Sequence, residues 1–252
     1  MDKELIANRL FTHAVFPVIK VVIEEDKFYK KLFSKVTARV AIKAEDKGGV
    51  LCFDNGEFSL DYEDLDNADI TFKFSTLKKM NDFLRGKLVL PSISGITKVA
   101  LLTKVILLLN SLKIMMPNVR PKSEEKKYLK VKMAFYMAIT SLSQLNKVGD
   151  VDMQKWVAKQ PDRIYQVVVE GTDIGAYLRV KAGKSKSGRG EYKRKRPFVK
   201  MKLNGLDGAM AVLLRDVEFI QAVDKGYVSV EGAPEYAAQM NDYMMRIQAM
   251  TT

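Results

Sequence analysis

The 252 residues contain one histidine, His13, and one cysteine, Cys52. Zinc sites built from Cys and His, Cys–His nucleophile pairs and haem-attachment motifs all need more of these side chains than the chain supplies. A Ser–His–Asp triad would have to run through His13, and no nucleophile motif accompanies it. Gly183–Gly190, GKSKSGRG, has the glycines of a phosphate loop. It has neither the G-x-x-x-x-G-K-[S/T] order nor a helix to open. No catalytic residue, metal site or cofactor is therefore expected, and the chain does not read as an enzyme. His13 reads as a surface or hydrogen-bonded helical residue, Cys52 as a buried, inert strand residue, and Trp156 as packing before Pro161.

Charge is the next chemistry available. Lys and Arg number 42 against 30 Asp and Glu, a net charge of +12, which favours anionic partners. The segment Lys181–Lys202 holds ten basic residues and one acidic residue, Glu191. Its Gly and Ser content predicts a flexible loop in its first part. Lys184, Lys186, Arg189, Lys193, Arg194, Lys195 and Arg196 are its candidate contacts for an anionic surface. Lipid phosphates or nucleic acid could meet them, or the segment could be a solvated hairpin tip. The only aromatics there, Tyr192 and Phe198, leave little surface for base stacking, so nucleic acid ranks below lipid. Asp54–Asp69 is the reverse, with seven acidic residues and no basic one. It lacks the glycine and terminal glutamate of a calcium loop. The two segments could complement each other between halves or between chains of a homo-oligomer; independent solvated loops are the plainer reading.

A third feature is a stripe of Tyr236, Met240, Tyr243, Met244 and Ile247 at helical spacing near the C-terminal end. Methionine is flexible and polarizable, so such a face can adapt to varied apolar partners, or it can be ordinary core.

The elements that must carry these features follow from patterning. Composition is that of a soluble globular chain, 47% apolar and 29% charged, and one cysteine suits a reducing, cytoplasmic setting. The opening MDKELIANRL is too mixed for a secretory leader. The greasiest run, Val99–Leu109, is too short to span a bilayer and is broken by Lys104. Pro117 and Pro121 mark a boundary, giving domains 1–120 and 121–252, and Ser123 looks like the N-cap of the next helix. The first half reads as helix, strands at 36–42, 50–53, 58–62 and 70–74, a short helix ended by Gly86, and an apolar helix. The second half reads as helix over 124–145, a short helix to 159, strands at 164–170, 176–181 and 199–203, helices at 206–214 and 219–223, a strand at 227–231, and a helix over 236–250. Ile70–Leu77 can be laid against Val199–Leu206, so the chain reads as a duplication with a period of about 130 residues.

The order from Val199 to Met250, with strands at 164–180 before it, resembles the sterol carrier protein type 2 family. In the first half, Ala68–Phe72 and Phe83–Lys87 resemble the same pattern; Leu88–Ile96 is too short for both the family's second helix and its final strand. The resemblance implies an α+β fold: a twisted, mostly antiparallel sheet with helices on one face, in two tandem domains. It implies non-covalent binding, with or without transfer, of a lipid, acyl chain or other apolar ligand in a tunnel between sheet and helices. The implied lining is Val199, Met201, Leu203, Met210, Leu213, Leu214 and Phe219, under a lid of Tyr236, Met240, Tyr243, Met244 and Ile247. A protein-interaction or accessory module without a ligand is the alternative.

Overall fold

The computed structural model describes residues 2–251. The chain forms two compact units, the first running to Met116 and the second spanning Pro117–Met250. Each is an α+β unit built on a five-stranded, mostly antiparallel sheet.

In the first unit the helices are α1 (Lys3–Leu10), α2 (Ile19–Glu25), α3 (Lys27–Phe33), α4 (Leu77–Leu84) and α5 (Val99–Ser111). The strands are β1 (Thr37–Ala44), β2 (Lys47–Asp54), β3 (Glu57–Asp61), β4 (Ile70–Phe74) and β5 (Ser92–Ser94), in the order β3-β2-β1-β4-β5. The second unit holds α6 (Glu124–Val148), α7 (Val151–Ala158), α8 (Gly205–Leu213), α9 (Phe219–Asp224) and α10 (Pro234–Thr251). Its strands are β6 (Arg163–Val169), β7 (Gly175–Lys181), β8 (Lys184–Arg189), β9 (Val199–Leu203) and β10 (Val228–Gly232), ordered β8-β7-β6-β9-β10.

The two orders are the same, and so are the pairings. Each sheet has one parallel pair, β1 with β4 and β6 with β9, flanked by antiparallel neighbours. The strands Ile70–Phe74 and Val199–Leu203, aligned from sequence, hold equivalent places. The glycines at the ends of the last strands, Gly95 just after β5 and Gly232 closing β10, match as well. A Cβ on Gly95 would lie 2.0 Å from the carbonyl oxygen of Asp69, and one on Gly232 would lie 2.0 Å from that of Phe198. Both glycines have positive φ, so both positions need a residue without a side chain. The first unit does form its final strand, β5, in the stretch Leu88–Ile96. What it lacks is a counterpart of α9, and a loop joins α4 to β5 instead.

The first core is made by an almost continuous helical run, Lys3–Glu25, against the sheet. This run is apolar and long enough to cross a membrane by composition alone, yet 78% of its most apolar window is buried, as in a core helix. A π turn at Phe11–Val15 leads into a 3-10 turn at Phe16–Val18 that contains Pro17, whose missing N–H breaks the α ladder. Caps follow the sequence: Thr76 Oγ1 accepts from the Lys79 amide and Ser123 Oγ from that of Lys126, satisfying first-turn donors.

The acidic run Asp54–Asp69 finds its cations inside its own unit. Arg39 reaches Asp61 at 2.8 Å and Asp64 at 3.7 Å, Lys43 pairs with Asp66, and Lys98 pairs with Asp69. Arg39 lies on β1, across the sheet from the carboxylates, so linear sequence did not show the pairing. Cys52, expected to be buried, is half-buried. The Arg39 hydrogen bond, with amide donors from Glu63 and Asp64, pulls the Asp61 carboxyl down to about 2.

Because this carboxyl titrates lower in the fold than its unfolded value of 3.8, its stabilisation is complete above that value and is lost as pH falls through about 2. Thermal melts between pH 4 and pH 2 should show the first unit losing stability, and Asp61→Asn should flatten the slope. Circular dichroism reads this transition; Trp156, the single tryptophan, reports the second unit. An unchanged slope in the variant would remove the role given to this carboxylate.

Candidate functional site

The parallel register of β6 and β9 sets Tyr165, Val167 and Val169 beside Val199, Met201 and Leu203. Side chains alternate along strands, so these six share one face, and all are buried. Lys200 and Lys202 point the other way and pair with Glu191 and Glu231. β10 extends the apolar face with Val228, opposite Leu203. Helices α6, α8 and α10 cover it.

α10 starts with Pro234, whose fixed φ suits a first helical turn. Ala237, Met240 and Ile247 are buried to 1% exposure or less, a helical stripe turned to the sheet. Its flank is tied down by aromatic and polar contacts. Trp156 Nε1 donates to Gln239 Oε1 at 2.7 Å, and the Tyr243 hydroxyl donates to the Asp152 carbonyl at 3.2 Å. Arg246 pairs with Asp150 and, at 3.3 Å, with Asp152. Tyr236 stacks edge-on to Phe198 at 5.2 Å, and the Arg163 guanidinium lies over both rings, at 3.8 Å from Phe198 and 4.8 Å from Tyr236. Tyr165 donates to Gln160 Oε1 at 2.8 Å, and burial pushes its hydroxyl up to about 12.

Between this roof and the sheet lies a cavity of about 30 Å³, room for water but far smaller than an ordinary ligand pocket. Its lining is Phe135, Val167, Met201, Leu203, Val212, Phe219, Val228, Asn241 and Met244. Met201, Leu203, Phe219 and Met244 are the sequence candidates that meet there. Val199, Met240 and Ile247 are packed in the core and Met210 is buried at 7% exposure, none of them on the cavity wall. Leu213, Leu214, Tyr236 and Tyr243 are half-buried and also off the wall. Phe135, Val167, Val212, Val228 and Asn241 were not singled out from sequence. The first four are indistinguishable from core residues in a one-dimensional pattern, and Asn241 sits beside the methionine stripe rather than on it. Asn241 is the one polar side chain in the lining. This seam holds a small, partly open void and is not a lipid-length tunnel.

The basic segment is more ordered than its composition predicts. Lys184–Arg189 is strand β8, paired antiparallel to β7 through a two-residue turn at Ala182 and Gly183, both with positive φ. Such turns match the twist of hairpin strands. Gly188 gives way to the Tyr177 ring, which would sit 2.2 Å from a Cβ there. The following loop is held by the Tyr192 amide, which donates to Gln166 Oε1 at 2.8 Å, and by Lys195, which donates to the Asp162 carbonyl at 2.8 Å. Arg189 lies over the Tyr136 ring at 4.9 Å. Lys184, Lys186, Lys193, Arg194, Lys195 and Arg196 are exposed. β8 is the sheet's edge, where lysines also discourage pairing with another chain. Among the described residues, no group of His, Cys, Asp and Glu could hold a metal ion.

No protein-family model and no curated protein matches the sequence. Solved structures similar to it include sterol carrier protein 2 like 2 from Aedes aegypti, at 18% identity over 44% of this chain and 97% of that one, with a TM-score of 0.30. A palmitated form of that mosquito protein aligns at 15% identity over 42% of this chain and 90% of that one, again with a TM-score of 0.30. The ubiquinone synthesis protein UbiJ-SCP2 aligns at 13% identity over 46% of this chain and 95% of that one, with a TM-score of 0.30. These are likenesses of fold at most. The α+β class and the internal duplication stand on the strand orders and registers above.

Met240→Ala should cost about 2–5 kcal/mol, the usual range for emptying a fully buried methionine site. Met244→Ala, at a half-buried position beside an existing void, should cost clearly less. Urea unfolding followed by Trp156 fluorescence reads both; equal losses would contradict the packing described for α10.

Proposed function

We propose that the second unit binds an apolar or amphipathic small molecule, of the lipid or acyl-chain class, without chemistry, by parting α10 from the face of β6, β9 and β10. The observation that carries this reading is the seam itself: an apolar void walled by methionines and aromatics, with Asn241 as its single polar group. Apolar walls with few polar anchors suit a ligand recognised by burial, at roughly 25 cal/mol per Å² of apolar surface. Methionine side chains can swing to enlarge such a void at low cost. The sequence resemblance to the sterol carrier protein type 2 family points the same way. Because the void is only about 30 Å³, the guest must displace side chains or α10, and Asn241 would meet its polar end.

The exposed cations of β8 and the following loop would draw the protein to an anionic membrane or meet a charged headgroup, each worth about 1 kcal/mol near such a surface. A non-catalytic carrier in a reducing, cytoplasmic setting fits the single cysteine and the lack of a nucleophile motif. Pairing of opposite-charge segments between chains has weaker support, since Asp61, Asp64, Asp66 and Asp69 already have partners in their own unit.

The test is displacement of a fluorescent fatty acid from the full chain. Wild type should bind it saturably, and Met244→Trp, which fills the void, should weaken binding about tenfold with the fold retained. Native mass spectrometry of gently purified protein should show an extractable lipid. Absence of saturable binding, or binding indifferent to Met244→Trp, would overturn the reading.

A further inference from the structure

Twelve large apolar side chains stand exposed among the described residues, and six of them fall between Leu88 and Leu107. Single exposed apolar residues are ordinary, but a concentration marks an interaction surface. Leu88 and Leu90 are 96% and 86% exposed on the loop that replaces a counterpart of α9. α5 is apolar almost all round, with Lys104 its one charge. Val105 and Leu108 are fully buried, while Val99 and Ile106, on the opposite side, are 65% and 49% exposed. A helix that is greasy on every side calls for cover on every side.

Charge indicates what the cover is. From Phe83 to Ser123 there is no Asp or Glu, while Arg85, Lys87, Lys98, Lys104 and Lys113 punctuate the part belonging to the first unit. Lys87 and Lys98 are engaged by Asp82 and Asp69; Lys104 and Lys113 are not engaged by either carboxylate. α3 lies beside α5, its Tyr29 hydroxyl donating to the Leu107 carbonyl at 3.0 Å. It adds the exposed Phe28, Lys30 and Lys31. Exposed leucines and isoleucines interleaved with cations, with no acid between Phe83 and Ser123, are the chemistry of a segment that rests in the headgroup region of an anionic bilayer. The apolar groups enter the acyl boundary and the cations meet lipid phosphate.

We propose that this face of the first unit docks on an anionic lipid bilayer, with Leu88 and Leu90 inserting and α5 lying in the interface. The basic hairpin of the second unit is a different device. It offers cations but no exposed large apolar side chain, so it can attract phosphate without inserting. The docking is also independent of whether the second unit takes a guest.

Full-length protein should cosediment with vesicles of phosphatidylcholine containing phosphatidylglycerol, and much less with phosphatidylcholine alone. Leu88→Ser with Leu90→Ser should weaken this about tenfold, the loss expected for two leucines that insert in part. Their exposure predicts an unchanged melting temperature. Neutralising Lys193, Arg194, Lys195 and Arg196 to Gln should weaken recruitment to the mixed vesicles without abolishing insertion, and Leu88→Trp should show blue-shifted emission on those vesicles. Vesicle binding that ignores the leucine pair, or no emission shift, would overturn the proposal. So would a wild-type dimer without vesicle binding that the leucine pair converts to monomer, because the cover would then be a second copy of the chain.

Discussion

Each five-stranded sheet has an apolar face that water must not reach, and the rest of the chain is arranged by the need to cover it. In the second unit α6 and α8 pack against the strands directly. α10 completes the cover with a few fully buried side chains, Ala237, Met240 and Ile247. Its remaining attachment is lateral: Trp156 with Gln239, Tyr243 with Asp152, and Arg246 with Asp150 and Asp152. A helix pinned along one flank and seated on methionines at the other can pivot at less cost than one buried all round. That asymmetry is the physical basis for reading the seam as a binding site despite its small void.

The duplication shows how the same constraint is met twice with different results. The parallel pair at the centre of each sheet, the strand order and the glycine at the end of the last strand are common to both units. From Ile70 to Gly95 is 25 residues and from Val199 to Gly232 is 33, and α9 occupies the extra length. Phe219 of α9 helps wall the second unit's void. Where the first unit has a loop instead, Leu88 and Leu90 stand in solvent. One insertion or deletion therefore separates a unit with a covered apolar seam from one with an outward apolar face.

Much of this was legible in the sequence wherever one face of an element is wet. Val199–Leu203 and Ile70–Phe74 alternate cleanly because Lys200, Lys202 and Lys73 face away from the core, and that alternation aligned the two halves. The cap at Ser123 was readable because side chain and helix start are adjacent in sequence, and the cap of α4 narrowed to Ser75 or Thr76, of which the structure uses Thr76. β8 was not readable, since Lys, Ser and Gly have poor strand propensity and the strand is made by pairing with β7 and by the Tyr177 ring over Gly188. The acidic run could be offered only the distant basic segment or solvent as partner, because its main cation, Arg39, sits on a strand two turns of chain away. The void could be narrowed to the sheet and α10, but its wall draws on seven elements and includes Asn241, which no periodicity distinguishes.

The claim on which the functional account rests is that an apolar guest enters between α10 and the second sheet. Methyl NMR of methionine-labelled protein tests it most directly. Titrating a long-chain fatty acid should shift the methyl signals of Met201 and Met244, which wall the void, and leave Met80, buried in the first unit's core, in place. Methyl signals of Met201 and Met244 that stay fixed, or a drift shared equally by Met80, would contradict it.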